Sequence, residues 1–328
     1  MELLTGFKNQ EEMNFPNIIN VCVLRGTCTG KCVHCPVGLT EISSRKNKFG
    51  DKAMSLELFK KVIDEMAEFK HSTLRLHSVG EPTLWKNLEK ALDYAKGKSV
   101  RVWIFTNAIT KNKNLLKNLA ENCAIVEISV NSFDKENYLS TKGVAAFELV
   151  RENIEYLHKL ILEGNLKTRL LVSRVESDDK EYDKKFVEYW KNSGLVSDAF
   201  IRSYHSYNSL IADKIKEPRK EVIACSVHWT RFSIDCDGKA VICFNELFRG
   251  PSPDETLVLG DINTTLIKDV WKGEKLSLIR RAQLKKDYDL INFTKLLPCI
   301  KCRYCQPLDT TRQTSEHQVK QLREKNDK

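Results

Sequence analysis

From residue 17 to about residue 205, short β-branched runs alternate with longer stretches of helical period. The apolar runs fall at 18–24, 73–79, 100–106, 125–131, 168–175 and 199–204. Between them lie amphipathic stretches at 55–69, 84–96, 112–122, 147–162 and 181–192. In the first of these, Leu56, Phe59, Val62, Ile63 and Met66 form one apolar stripe, and Ser55 stands where its hydroxyl can cap the first turn. Strict alternation of six strands and five helices requires a parallel sheet with right-handed crossovers. The pattern therefore predicts an α/β fold, a partial (β/α)6 TIM-like barrel.

Near residue 207 the rhythm changes. The segment HWTRFSIDCDGKAVICFNE reads as two alternating strands around an Asp237-Gly238 turn. A proline-bearing loop at 249–255, a helical stretch at 269–284 and the cysteine-rich KLLPCIKCRYCQP follow. The expected organisation is an N-terminal extension at 1–16, a barrel at 17–206, a small cysteine-rich hairpin and helix domain at 207–308, and a polar tail at 309–328, a frayed helix or disordered.

Composition refines this picture in two ways. The 328 residues carry a formal net charge of +9, but their 53 basic and 44 acidic residues are interspersed on helix faces, as in Lys60-Lys-Val-Ile-Asp-Glu65. Such a surface permits an anionic partner without indicating one, and no aromatic-basic interleaving speaks for nucleic acid. No apolar run reaches the ~18 residues of a membrane span, and the polar, acidic N-terminus is unlike a secretory signal. A cytoplasmic, reducing location with no membrane partner is expected, where 11 cysteines point to metal ligation or catalysis rather than disulfides.

Cys28, Cys32 and Cys35 stand at C-x3-C-x2-C spacing in RGTCTGKCVHCP, just after the first strand. Three thiolates can wrap one metal centre from a single loop. Structural zinc usually takes four protein ligands, and His34, between Val33 and Cys35, is cramped as the fourth. A [4Fe–4S] cube usually takes four cysteines, so three leave one iron open, as a catalytic centre requires. Gly26 and Gly30 let the backbone fold tightly around such a centre. Cys22 and Cys123 read as small core residues.

This loop resembles that of the radical S-adenosylmethionine (radical SAM) superfamily, which holds a [4Fe–4S] cluster whose fourth iron chelates S-adenosylmethionine. Other stretches are similar to further motifs of that family. LRLHSVGEPTL ends the second strand with Gly80, Glu81 and Pro82, like Gly-Gly-Glu-Pro with Val79 replacing the first glycine. Thr106 and Asn107 resemble Thr-Asn-Gly, and Ser129 matches Ser-x-Asp-Gly, from which Asn131 and Ser132 depart. All fall at C-terminal strand ends, where α/β proteins place ligands. The resemblance covers about residues 17–205 and implies that Cys28, Cys32 and Cys35 hold the cluster. It also implies that Gly80, Glu81, Pro82, Thr106, Asn107, Ser129 and Asn131 bind S-adenosylmethionine. Arg174, late in the fifth strand, is a candidate partner for its carboxylate.

A second cysteine set, Cys225, Cys236, Cys243, Cys299, Cys302 and Cys305, follows residue 207. Cys225 and Cys243 frame Gly238 as Cys-x12-Gly-x4-Cys, similar to the start of the SPASM and Twitch extensions that hold auxiliary iron–sulfur clusters. Full SPASM domains hold two clusters and need more cysteines than these; one [4Fe–4S] cluster needs four. Cys225, Cys243, Cys299 and Cys302 are the expected ligands, with Cys305 a replacement for Cys299 or spare, and Cys236 a bystander. A zinc ribbon on the same cysteines is the competing reading.

The resemblance implies reductive cleavage of S-adenosylmethionine to a 5′-deoxyadenosyl radical, hydrogen abstraction from a substrate in the barrel mouth, and a flavodoxin- or ferredoxin-type electron donor. A fully ligated auxiliary cluster can accept an electron, so a two-electron oxidation is expected. Two plans fit. One resembles the 2-deoxy-scyllo-inosamine dehydrogenases, which oxidise a sugar-like alcohol; the other resembles sulfatase maturases and peptide-modifying enzymes. The segment before Cys28 is too short for a leader-recognition domain, and the second cysteine set too small for two auxiliary clusters. A small sugar-like or aminocyclitol substrate is therefore expected, with a peptide maturase, an RNA-modifying enzyme and a non-catalytic electron carrier as alternatives. Arg202, Tyr204 and His205, ending the sixth strand, are candidate catalytic residues that would take a substrate proton or bind an anionic group.

Overall fold

The computed structural model describes residues 6–207, 210–212, 223–289, 298–302, 304–308 and 315–326. Residues 295–297 and 303 of the expected cysteine-rich loop, 1–5 of the extension and 309–314 of the tail lie outside them. The six expected parallel strands are β1 (Ile18–Arg25), β2 (Thr73–Val79), β3 (Arg101–Thr106), β4 (Ile125–Ile128), β5 (Arg169–Val175) and β6 (Asp198–Arg202), in spatial order β6-β5-β4-β3-β2-β1. Helices Leu56–Met66, Leu88–Gly97, Lys113–Asn122, Phe147–Glu163 and Lys180–Asn192 join them. Their N-termini are chosen by sequence: the side chains of Ser55, Asn112 and Asp179 each accept a hydrogen bond from a backbone N–H in the first turn.

Side chains alternate along each strand. One face packs under the helices, through Val21, Leu74, Leu76, Val102, Ile104, Val126 and Val172. The other face is largely polar, with Asn20, Arg75, Glu127, Ser173 and Arg202, all buried or nearly so. The ladder of β4 ends earlier than its apolar run: its last rung is Ser129 N–H on the Thr106 carbonyl, and beyond it Asn131 adopts a left-handed φ of 61°.

Three findings depart from the sequence pattern. First, the hairpin does not stand off the barrel: β7 (Arg231–Ile234) pairs in parallel with β1, from Ile18↔Arg231 to Val21↔Ile234. Strands β8 (Lys239–Val241) and β9 (Val258–Asp261) continue antiparallel, so all nine strands make one sheet. Second, the helical stretch at 269–284 is broken at Gly273, which ends Ile267–Lys272 and starts Glu274–Leu284. Third, the tail expected to be frayed contains the helix Ser315–Asn326. Its Val319 and Leu322 pack on Ile18, Trp103, Ile125, Leu171 and Phe200. Arg169 donates to the Gln318 carbonyl and Gln321 Oε1, and Gln318 Nε2 donates to Asp198. These partners lie near the N-terminal strand ends, so the helix closes the barrel end opposite the strand C-termini. Among the described residues no helix is long and apolar enough to cross a membrane.

Arg25, the last residue of β1, joins the barrel to the hairpin. Its Nε and Nη2 donate to Asp235 at 2.8 Å each, and Nη1 donates to the carbonyls of Phe49, Leu247 and Gly250. Both charges are out of solvent. Removing one partner of a buried pair strands the other, at a cost of about 3–5 kcal/mol, whereas replacing both by apolar residues is often tolerated. We predict that Asp235→Asn lowers the urea midpoint by an amount equivalent to about 3 kcal/mol, and that Arg25→Met with Asp235→Leu recovers part of it, the remainder being the carbonyls that lose Nη1. Equal loss in the single and double variants would refute this account.

Candidate active site

The cysteine loop leaves β1 through Gly26, at φ +65°, where an added Cβ would lie 2.2 Å from the Gly50 carbonyl. Gly26 N–H donates to the Val79 carbonyl and Glu81 N–H to the Thr27 carbonyl, seating the loop on the end of β2. Arg45, itself buried, donates to the carbonyls of Cys28 and Thr40 and fastens the loop's outer side. Lys31 and Val33 N–H groups donate to the carbonyls of Lys142 and Thr141 at the end of helix Lys135–Lys142. Held this way, Cys28, Cys32 and Cys35 line one cavity of about 280 Å³.

The loop fits a metal cluster on two grounds. A Cβ on Gly30 would sit 3.3 Å from Cys32 Sγ and 3.9 Å from Cys28 Sγ, so glycine keeps the space in front of these sulfurs clear of protein. Burial and the nearby Glu81 charge push the Cys28 thiol up to about 12, and burial with the Cys32 charge pushes Cys35 up to about 11. Crowded thiolates need a cationic centre to exist here, and soft sulfur donors suit iron–sulfur clusters or zinc. His34 is neutral, its pKa lowered by burial and by Lys142 and Arg174, and its Nε2 lies 3.5 Å from the Asn131 amide nitrogen.

Six of the eight residues expected to bind S-adenosylmethionine line this cavity: Gly80, Glu81, Pro82, Thr106, Asn107 and Ser129. Glu81 works inward. Its Oε1 accepts from the Thr106 hydroxyl at 2.5 Å and the Thr83 hydroxyl at 2.8 Å, and its Oε2 accepts from Asn107 N–H at 2.9 Å. The carboxylate thus locks the ends of β2 and β3 together. Asn107 Nδ2 then reaches Thr29 Oγ1 at 2.9 Å and lies 3.8 Å from Cys28 Sγ.

The other two, Asn131 and Arg174, are not cavity-lining. Arg174 Nε donates to Asp183 Oδ1 at 2.7 Å, and its Nη1 donates to the Asn131 carbonyl and to Asn137 Oδ1. Its guanidinium also stacks 4.5 Å from the Tyr182 ring. It shapes the turn after β4 from within the protein. The cation that does line the cavity there is Lys142, only 1% exposed, whose Nζ donates to the Ser129 carbonyl at 2.5 Å and to Ser129 Oγ at 3.3 Å.

Five cysteines of the second set, Cys225, Cys243, Cys299, Cys302 and Cys305, line the same cavity as the first loop. Cys225 is held as the more acidic thiol by hydrogen bonds from Cys305 and from Gln306 N–H, the latter at 3.5 Å. Burial and neighbouring thiolates raise Cys243 and Cys299, again the signature of sulfurs gathered for a cation. Cys236 lies apart, buried in the main core near Cys22 and Asp235, while Cys22 and Cys123 are buried as expected.

Of the three residues ending β6, Arg202 and His205 line the cavity and Tyr204 does not. Tyr204 OH donates to the Ala212 carbonyl at 2.6 Å. Arg202 forms a two-pronged pair with the fully buried Glu127, which also accepts from Ser173 Oγ at 2.6 Å. Burial and the charges of Arg231 and Arg202 lower the His205 pKa to about 4, so its ring is neutral at pH 7. His77, whose ring stacks on Phe105 at 5.1 Å, is kept neutral by burial and by Arg75.

Residues 23–187, half of the chain, match the radical SAM superfamily. The chain belongs to that superfamily. Residues 225–306 match SPASM, an iron–sulfur cluster-binding domain. Fe-coproporphyrin III synthase of Methanosarcina barkeri is 32% identical over 111 residues, 34% of this chain and 26% of the relative. GTP 3′,8-cyclase of Mannheimia succiniciproducens is 22% identical over 203 residues, 57% of each chain. The chain therefore spans between a quarter and somewhat over half of these curated relatives. Among solved structures, anSMEcpe with bound AdoMet superposes with a TM-score of 0.60 at 15% identity, covering 94% of this chain and 95% of the other. SuiB of Streptococcus suis bound to precursor peptide SuiA gives 0.62 at 14%, covering 81% and 67%. BtrN in complex with AdoMet and 2-DOIA gives 0.53 at 15%, covering 92% and 97%. At these identities the likeness establishes the fold.

A radical SAM domain together with a SPASM domain supports S-adenosylmethionine and [4Fe–4S] clusters as the cofactors. Sequence reasoning missed Asn20, Arg75, His77 and Lys142. The first three carried a signal, polar residues at alternate positions inside apolar strands; a lysine in a helix's last turn carries none. We predict that Glu81→Gln, which faces an NH2 toward the Thr106 hydroxyl or Asn107 N–H, costs about 1–3 kcal/mol in urea denaturation and weakens S-adenosylmethionine binding in equilibrium dialysis. Unchanged stability would mean that Glu81 does not hold the strand ends.

Proposed function

We propose that this radical SAM enzyme carries out a two-electron oxidation of a small molecule held between its two cysteine sets. The single observation behind this is that Cys28, Cys32 and Cys35 share one cavity with Cys225, Cys243, Cys299, Cys302 and Cys305. When bound, the clusters would supply one-electron chemistry: an electron for reductive cleavage of S-adenosylmethionine at Cys28, Cys32 and Cys35, and an electron acceptor at the second cysteine set. The chain's own residues position and deprotonate. Lys142, rather than Arg174, meets the carboxylate of S-adenosylmethionine, since no carboxylate pairs with this buried ammonium among the described residues. His205 is neutral, and its Nδ1 has no hydrogen-bond partner among the described residues, so it is suited to take the substrate proton. Cys225, Cys243, Cys299 and Cys302 ligate the auxiliary cluster, with Cys305 as the hydrogen-bond partner of Cys225. A flavodoxin- or ferredoxin-type donor in the cytoplasm supplies the electrons.

The test is iron and acid-labile sulfide per chain after anaerobic reconstitution, with 5′-deoxyadenosine measured in the same samples. Wild type is expected to hold about eight irons, and a Cys28/Cys32/Cys35→Ala triple variant about four, with cleavage lost. Cys305→Ser is expected to keep about eight, and Cys302→Ala to fall toward four. About four irons in wild type and none in the triple variant would remove the auxiliary cluster and the two-electron route with it.

A further inference from the structure

The charged groups that line the shared cavity are engaged within the fold. Glu81 is turned to Thr83, Thr106 and Asn107, and Arg202 is closed by Glu127. Lys142 is held on Ser129 beside the cysteine loop, and Arg231 donates to Gln306 Oε1 at 2.9 Å. The Arg75 guanidinium carbon lies 4.9 and 5.6 Å from the Trp103 and Phe105 centroids. The hydrogen-bonding capacity left open in the cavity is uncharged. Asn20 Oδ1, His205 Nδ1 and Ser315 Oγ are buried atoms of lining residues that have no hydrogen-bond partner among the described residues. Asn20 is only 4% exposed and Ser315 2%, so a group enclosed in the cavity is what can satisfy them.

His77 adds a donor to the same wall. Its Nδ1 accepts from Ser78 N–H at 3.0 Å, closer than its 3.3 Å approach to the Ser78 carbonyl, and a backbone N–H cannot reverse its role. Kept neutral by burial and by Arg75, the ring therefore carries its hydrogen on Nε2, which has no partner among the described residues. Phe105, stacked at 5.1 Å, and Phe244, edge-on at 4.4 Å, fix the direction of the ring. Asn20 stands level with Arg75 on β2, and His77 lies two residues farther along that strand, a step of about 7 Å. One hydroxyl cannot bridge that step, whereas several on one carbon skeleton can. Asn20 Oδ1 requires a donor and His77 Nε2 an acceptor, and a hydroxyl is both. A carboxylate could not donate to Asn20, and an ammonium could not accept from His77.

We propose that the substrate is an uncharged polyhydroxylated molecule, with hydroxyls held by Asn20, His77 and Ser315. This rests on the reading that the cavity encloses a small substrate. The three residues come from β1, β2 and the first position of the C-terminal helix, so they select for the number and placement of hydroxyls rather than for charge. His205, with its own open Nδ1, lines the same space.

The experiment titrates the reconstituted holoenzyme, loaded with S-adenosylmethionine, calorimetrically with four probes: myo-inositol, sorbitol, succinate and propylammonium. At least one polyol is expected to saturate with Kd of about 5 mM or below and to change little as salt is raised, since neither side of the contact is charged. Its binding is expected to weaken about fivefold in Asn20→Leu and in His77→Phe, the latter keeping the stack on Phe105. The better polyol distinguishes a ring from a chain. The proposal is overturned if succinate or propylammonium binds more tightly than both polyols, if neither polyol saturates below about 50 mM, or if neither substitution weakens binding. Circular dichroism and iron content establish that each variant is folded, and either variant alone suffices. Wild-type cleavage of S-adenosylmethionine is read separately. Polyol binding without cleavage would remove the radical chemistry and leave the hydroxyl subsite standing, and cleavage without polyol binding would remove this assignment alone.

Discussion

The geometry of the enzyme depends on the ion pair between Arg25 and Asp235. Arg25 ends the strand from which the first cysteine loop departs, and Asp235 follows the strand that leads into the SPASM hairpin. Because β1 and β7 are neighbours in one sheet, a single guanidinium sets the relation between the two cysteine sets. It also accepts no compromise in its surroundings: three backbone carbonyls from Phe49, Leu247 and Gly250 are satisfied by Nη1 alone. A planar fork with five donors does this where a lysine would not. Such buried pairs add little net stability, since desolvation offsets attraction. Their contribution here is register, and register is what a shared cavity requires.

Inside the barrel the same logic recurs with another purpose. Glu127 sits at the centre of a polar layer, pairing with Arg202 and accepting from Ser173, above an apolar floor of Trp103, Leu171 and Phe200 that the C-terminal helix covers. That floor keeps bulk water from the closed end, so the charged layer operates in a low dielectric where each contact is strong. His77 and His205, set among arginines, stay neutral under these conditions. Neutral imidazoles in such a layer can accept protons.

Much of this was legible in the sequence, for reasons that can be named. The strands were visible because both their faces are removed from water, and the helices because Ser55, Asn112 and Asp179 cap them within a strong apolar period. The cysteine spacings were visible because ligands for one cluster must leave one short loop. What stayed hidden lies in tertiary pairing. Nothing in RFSI distinguishes a hairpin strand of a separate unit from one that completes the barrel sheet through β1. In helix Ser315–Asn326 a narrow apolar stripe through Val319 and Leu322 is buried, and Gln318 and Gln321 are spent on Asp198 and Arg169, so composition read it as a frayed helix or disorder. Arg174 was placed on the correct strand, yet its alternation turns it away from the cavity to Asp183 and Tyr182.

The buried cations separate into those the chain pairs with a carboxylate and those it holds on neutral acceptors. Arg25 has Asp235, Arg174 has Asp183 and Arg202 has Glu127, each pair closed within the fold. Arg45, Arg280 and Lys142 are as deeply buried, but among the described residues their hydrogen-bond acceptors are neutral: backbone carbonyls for the two arginines, and the carbonyl and hydroxyl of Ser129 for Lys142. Removing an ammonium from water without a counter-charge costs several kcal/mol. Of these three, Lys142 lines the cavity, where a ligand's carboxylate would complete the pair. By this argument the helix Lys135–Lys142, whose last residues also hold the backbone of Lys31 and Val33, couples ligand binding to the shape of the cysteine loop. A carboxylate that engages Lys142 would tighten the scaffold on which Cys32 and Cys35 are carried, so that the two halves of the radical site form together.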